Sequence, residues 1–242
     1  MSRPDLRASL QGSVNERIAH GLLRRARTVE AMRSDGHCIV DGRNLTAFCS
    51  NDYLGLATHP EMIKAMQHAA GRYGVGSTAA HLVCGHHREH ALLESALAEW
   101  TGRERALLFS TGIMANLGVM QALLGRPGMR RTGLCVQDKL NHASLIDGAR
   151  ATPATVRRYR HVDVDAAARQ LAAAPHSAAL LATDGVFSMD GDIAPLADLA
   201  ALCARQQATL MVDDAHGLGV LGPQGAGSIA AAGLSQSQVP VL

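Results

Sequence analysis

The stretch "ATLMVDDAHGLGVLG", residues 208–222, decides the fold class. Its apolar run Leu210-Met211-Val212 reads as a buried strand, and the run ends in two aspartates and a histidine. Ionised carboxylates are costly in a protein interior unless a cation or hydrogen-bond donors meet them. A positive group is therefore expected at the end of this strand. Immediately upstream, "SAALLATD" (177–184) reads as a second buried strand, "GVFSMDGDIAP" (185–195) as a loop and "LADLAALCARQQ" (196–207) as a helix. Strand, loop, helix, strand is a βαβ unit, which implies parallel strands and a right-handed crossover. In open α/β sheets ligands gather beyond the carboxyl ends of the strands. Asp184, Ser188, Asp213 and His216 are expected to approach one another there.

The composition narrows the class. With 242 residues, 47% of them apolar, the chain is long enough for a substantial core. A net charge of +2 and 3% aromatics give no basic, aromatic-studded face for nucleic acid. The cysteines (Cys38, Cys49, Cys84, Cys135, Cys203) are scattered and never spaced C-x-x-C, which favours free thiols in a reducing cytoplasm. No apolar run approaches the roughly 20 residues of a membrane span, and no secretory signal opens the chain.

Upstream of the βαβ unit, Leu10, Val14, Ile18 and Leu22 repeat at i, i+4 and read as an amphipathic helix. "HCIVDGRNLTAFCS" (37–50) reads as two strands around an Asp41-Gly42 turn. "THPEMIKAMQHAAGRYG" (58–74) reads as a helix with Thr58 and Glu61 at capping-box spacing and Pro60 in the first turn. "HREHALLESALAEWTG" (87–102) is a helix closed by Gly102. "ALLFSTGIMANLGVMQALLG" (106–125) reads as a short strand that turns into a helix at Thr111-Gly112.

Several groups could carry chemistry. The turn at Ser110, Thr111 and Gly112 is an anion site or a bare tight turn, since a helix N-terminus offers free N–H groups and a positive dipole end. His86 and His90 stand at i, i+4 in "GHHREH", but H-E-x-x-H spacing is missing, so a solvated helix start outweighs a metal site. His142 lies at a strand-to-helix turn, where it is a cap or a ligand. Asp213 has the sharpest logic: a carboxylate there could keep a bound heterocycle protonated, as pyridoxal phosphate requires at its ring nitrogen. The bland alternative is an aspartate hydrogen-bonded to loop amides.

"SNDYLGL" (50–56), "HLVCGHH" (81–87), "LLFSTGIMAN" (107–116), "NHASLIDGAR" (141–150), "TDGVFSMDGDIAPL" (183–196) and "VDDAHGLGVLGPQGAG" (212–227) together resemble the α-oxoamine synthases. These are fold-type-I pyridoxal 5'-phosphate enzymes that join an amino acid to an acyl thioester and release carbon dioxide. The resemblance implies an α/β, aspartate-aminotransferase-like large domain with a mostly parallel sheet and flanking helices. On that reading residues 1–45 form an N-terminal helix and strand pair, and 46–242 the cofactor-binding domain.

It also implies site roles. Backbone amides of Gly112 and Ile113 would hold the cofactor phosphate, although the family often has an aromatic residue where Ile113 stands. His142 would stack on the ring and contact substrate. Asp213 would pair with the ring nitrogen, His216 with the phenolic oxygen, and Ser188 would add a hydrogen bond. Asn51 and Arg25 would meet the substrate, Arg25 being the weaker match because Arg24 and Arg27 are one register slip away. The family's "GSG-S" segment reads here "GSTAA", with Thr78 and Ala80 as departures. "HLVCGHH" and "NHASLIDGAR" are most similar to the biotin-pathway branch, which uses L-alanine and a pimeloyl thioester of coenzyme A or acyl carrier protein. A glycine C-acetyltransferase-like activity is the alternative. Family members are homodimers, which implies a homodimer for the full-length enzyme, and a cytoplasmic location is expected for this chain.

The family's Schiff-base lysine lies in a T-x-G-K segment one strand beyond Asp213. Lys64 and Lys139, the lysines of this sequence, do not match it. The chain is expected to be an N-terminal fragment that stops just before that lysine, lacks the C-terminal small domain and is inactive alone. A non-catalytic partner subunit is the other reading.

Overall fold

The computed structural model describes residues 3, 5–33, 36–125, 128 and 133–242. The chain divides into two compact units, residues 1–69 and 70–242. Among the described residues no helix is long and apolar enough to cross a membrane.

The first unit opens with α1 (Leu6–Ala19), capped by Asp5, whose carboxylate accepts from the Arg7 N–H at 2.9 Å. Leu10, Val14 and Ile18 lie on it, but the whole helix is exposed, and Leu22 falls beyond its end. A three-stranded antiparallel sheet follows: β1 (Val29–Met32), β2 (His37–Val40) and β3 (Arg43–Thr46). Asp41 and Gly42 both have positive φ (50° and 71°), the combination a two-residue type I′ hairpin needs. β1 went unread in the sequence because "VEAM" is a short four-residue segment without a run of β-branched or aromatic residues.

Helix α2 (Pro60–Tyr73) begins at Pro60 as expected, but the capping box does not form. Thr58 belongs to a 3-10 turn, and the His59 ring accepts from the Glu61 N–H at 3.3 Å instead. The altered segment "GSTAA" places Thr78 at φ 61°, a left-handed conformation that glycine adopts without strain and a β-branched residue does not.

The second unit continues with α3 (Arg88–Trp100), α4 (Gly112–Leu124), β4 (Gly133–Asp138), α5 (Ala143–Arg150), β5 (Thr155–Tyr159), α6 (Val164–Ala172), β6 (Ala178–Asp184), α7 (Leu196–Gln206), β7 (Thr209–Asp213) and α8 (Gly227–Ala231). Gly102 closes α3 at φ 65°. The strands form one parallel sheet in the order β5-β4-β6-β7, with Val241 bridging to Met211 at the β7 edge. Period-2 alternation sorts the strand side chains. Val136, Leu181, Leu210 and Val212 pack with Leu199 and Leu202 of α7 and Leu171 of α6. Cys135, Leu180 and Met211 pack with Met120 and Leu124 of α4 and Leu145 of α5. Helices therefore cover both faces, which is why β6 and β7 read as unbroken apolar runs rather than alternating ones.

The strand expected at residues 106–109 does not form. The Leu108 N–H, which a ladder would need, donates to the Glu94 carboxylate of α3 at 3.0 Å. The helix start at Gly112 is as read, with the Thr111 hydroxyl accepting from the Met114 N–H.

Candidate functional site

Parallel pairing of β6 and β7 puts Asp184 opposite Asp213 at the carboxyl edge of the sheet. One Asp213 oxygen accepts from the Asn116 side-chain NH₂ at 2.8 Å, and the other from the Ala215 N–H at 3.1 Å. Asn116 lies on the buried face of α4 and also donates to the Ser144 hydroxyl at 2.9 Å. Ser144 in turn sits 2.7 Å from Nδ1 of His142. Four side chains from β7, α4, α5 and its cap are thereby linked into one hydrogen-bonded row.

His142 is the N-cap of α5: its ring nitrogen accepts from the Ser144 N–H at 3.3 Å, while the residue remains exposed. The cap role is therefore real and leaves the ring face accessible. The His142 N–H donates to Asp184 at 2.7 Å, and the Asn141 side chain brackets the end of β6, donating to the Ala182 carbonyl and accepting from the Asp184 N–H. Burial pushes the Asp184 carboxyl up to about 7, the His142 N–H opposes that shift, and the nearby Asp213 and Asp138 add to it.

The second aspartate of the opening stretch has a different place. Asp214 is buried and accepts from the Ser228 N–H at 2.7 Å, and burial raises its pKa. A Cβ at Gly217 or Gly227 would collide with its carboxylate, so a side chain at either position would displace it.

A cavity of about 430 Å³ opens beside Asp213, with Phe109, Gly112, Asn116, Ala215 and Val241 in its wall. The N-terminus of α4 thus faces the same space as the Asp213 carboxylate. A Cβ at Gly112 would meet no atom within 4 Å, so the helix start is open to an approaching group. An acceptor on one wall and amides at a helix start on another suit a ligand that carries both a protonated ring nitrogen and a phosphate.

Of the other anticipated residues, His216 is half-buried just after β7 and Ser188 is exposed on the β6–α7 loop. Ile113 is exposed in the first turn of α4. Arg25 and Asn51 belong to the first unit, where both are exposed; Asn51 accepts from the Tyr53 hydroxyl at 3.4 Å. Lys139 is exposed after β4 and is not part of the cavity wall. Lys64 pairs with Glu61 on the surface of α2 at 2.9 Å. The His86 and His90 rings stack 5.7 Å apart, and Nδ1 of His90 accepts from the His87 N–H at 3.0 Å, which ties it to the helix start. Among the described residues no three His, Cys, Asp or Glu side chains group as metal ligands.

Asn116 and Ser144 were missed in the sequence. Asn116 carried a signal nonetheless: it is the polar residue in the midst of "GIMANLGVM", and a polar side chain on an apolar helix needs a partner.

Comparison with known proteins bears on the whole arrangement. The family model described as aminotransferase class I and II matches residues 43–239. An 8-amino-7-oxononanoate synthase of Xylella fastidiosa (strain M12) is 55% identical over 241 residues, spanning 100% of this chain and 59% of the relative. A serine palmitoyltransferase of S. paucimobilis with bound PLP–myriocin aldimine superposes with a TM-score of 0.87 at 30% identity, covering 98% of this chain and 59% of that one. An 8-amino-7-oxononanoate synthase of Francisella tularensis gives a TM-score of 0.65 at 30% identity, covering 79% and 51%. The chain thus spans about 59% of the length of the curated relatives it matches. Its helix-covered parallel sheet is the fold-type-I, aspartate-aminotransferase-like arrangement. By the match over residues 43–239, the chain belongs to the class I and II aminotransferase family.

Proposed function

We propose that this chain carries the pyridoxal 5'-phosphate site of an 8-amino-7-oxononanoate synthase, an acyltransferase of biotin biosynthesis. Its substrates would be L-alanine and a pimeloyl thioester of coenzyme A or acyl carrier protein, and it would act as a cytoplasmic homodimer. The observation that carries this reading is Asp213: a carboxylate at the end of a buried parallel strand, held by Asn116 and the Ala215 N–H beside a cavity that Gly112 also lines. The relatives named 8-amino-7-oxononanoate synthase support the choice of branch.

The cofactor, when bound, supplies an electron sink for the carbanion at the amino-acid Cα. The chain's own residues supply the rest. The Gly112 and Ile113 N–H groups bind phosphate at the positive end of α4. Asp213 holds a proton on the ring nitrogen, and Asn116 keeps its carboxylate turned toward that task. His142, steadied by Ser144, offers its ring face for stacking and for contact with substrate. His216 would hydrogen-bond the cofactor's phenolic oxygen, Ser188 would add a hydrogen bond to the cofactor, Asn51 would lie near the substrate carboxylate, and Arg25 would contact the substrate.

Titrating the chain with pyridoxal 5'-phosphate and following its absorbance tests the reading. Saturable binding is expected, weakened at least about tenfold in Asp213→Asn, as loss of a charge-assisted hydrogen bond implies. Borohydride reduction should leave Lys139 unlabelled. Absence of saturable binding, or an unaffected Asp213→Asn, would overturn the proposal.

A further inference from the structure

A second polar assembly stands at the same edge of the sheet, outside the cavity. The Asp138 side chain, at the end of β4, is 1% exposed. His161 follows β5, and Asp192 lies in the β6–α7 loop. His161 Nδ1 is 3.0 Å from Asp138 Oδ1, and its Nε2 is 2.9 Å from Asp192 Oδ2. The edge of the ring system is set by Phe187, at a centroid distance of 4.5 Å and an interplanar angle of 87°.

Both ring nitrogens face carboxylate oxygens. A neutral imidazole has one N–H, so donation to both carboxylates requires the imidazolium. Asp138 is further fixed by the Leu140 N–H at 2.8 Å and the Val162 N–H at 2.9 Å. The loop closes on itself: the Phe187 N–H donates to the Asp192 carbonyl, the Gly191 N–H to the Phe187 carbonyl and the Ala194 N–H to the Gly185 carbonyl. Asp192 thus ties a pre-shaped loop, with Ser188 exposed on it, to a strand end that runs through Leu140 and Asn141 into His142.

We propose that His161 is a positioning residue, an imidazolium clamped between Asp138 and Asp192 that holds the Ser188 loop against the β4–α5 turn. The relevance of Ser188 and His142 rests on the pyridoxal phosphate reading above. Two charged groups act on the ring, Asp138 from β4 and Asp192 from the loop, and Phe187 contributes an uncharged edge. Burial works against the charge on His161, but hydrogen bonding and attraction from the two carboxylates outweigh it and raise its pKa. A histidine raised on folding stabilises fully below its unfolded value of about 6.5. That contribution is lost as pH rises through the folded value.

NMR titration of the chain decides the clamp without any cofactor. The His161 midpoint is expected above about 6.5, and Asp192→Asn, a change at a half-exposed carboxylate, should lower it. The Phe187, Ser188 and Gly191 amide signals should follow the same midpoint in the native chain and lose that step in His161→Gln. Affinity for pyridoxal 5'-phosphate should fall about tenfold as pH crosses the midpoint, as for one charge-assisted hydrogen bond. In His161→Gln it should stay at the weaker level throughout. A His161 midpoint at or below the ordinary value, loop amides that ignore it, or an affinity flat across it would each sink the positioning role. A native chain that binds no pyridoxal phosphate at any pH fails the functional reading alone, because the His161 and loop titrations still decide the clamp.

Discussion

In residues 1–69, Cys38 and Val40 of β2 are the buried side chains among the described residues, and the apolar stripe of α1 is exposed throughout. In residues 70–242, the same kinds of residue fill both faces of a parallel sheet, with Leu134, Leu181 and Leu210 fully enclosed. Both regions carry clear sequence patterns: the i, i+4 apolar stripe and the Asp41-Gly42 hairpin in one, the unbroken strand runs in the other. The difference is cover. An apolar stripe states which face an element would bury, whereas a βαβ unit brings its own helix to bury it. Local pattern therefore yields element type in both regions, but burial only where the connection itself supplies the second layer.

Paired truncations test this contrast most sharply. Leu210→Ala should cost about 2–5 kcal/mol, because the enclosed sheet centre cannot collapse around the void. Leu10→Ala, on an exposed helix face, should change stability by less than about 0.5 kcal/mol. Chemical denaturation of both variants checks the pair, and equal losses would remove the distinction drawn above.

Within the second region the next effect belongs to Asn116. Replacing it with alanine takes one hydrogen bond from Asp213 and one from the Ser144 hydroxyl, and the loss should be about 1–3 kcal/mol. A native-like melting temperature would mean that the row from β7 to α5 is decorative.

Asp184 gives a pH-shaped signal. Its carboxyl is raised to about 7 on folding, so the native state holds its proton longer than the unfolded chain does. Stability from this group is complete below the unfolded value of about 3.9 and declines as pH rises toward 7. Asp184→Asn should flatten that decline, which thermal melts between acid and neutral pH would reveal. An unchanged slope would mean that the carboxylate is hydrated in solution.

The smallest effect concerns Thr78, where φ is 61°. Thr78→Gly should raise stability by up to about 1 kcal/mol by relieving a left-handed threonine, and a loss on that substitution would show that the side chain contributes more than its strain costs.

How far the sequence could be read follows from range. The pairing of Asp184 with Asp213 was legible because a βαβ crossover fixes both strand direction and which ends meet. The hairpin at Asp41-Gly42 was legible because its turn demands two left-handed residues. The strand at 106–109 misled because its apolar run says nothing about whether a neighbour will offer a ladder, and Glu94 took the Leu108 amide first. The link from Asn116 to Asp213 joins side chains on α4 and β7, and no local period encodes it. The clamp around His161 was invisible for the same reason: its partners come from β4 and from the loop after β6.

The Asn141 side chain has one more consequence. Its carboxamide donates to the Ala182 carbonyl and accepts from the Asp184 N–H, imitating a peptide group one rung past the last pair of the β4–β6 ladder, Gln137 with Ala182. An aspartate differs from it by a single atom group and, in the genetic code, by a single base. That exchange would set an anion against the Ala182 carbonyl while sparing the acceptor to Asp184. The position is thus a narrow gate for mutational drift, where the nearest substitution in shape is among the least compatible in charge.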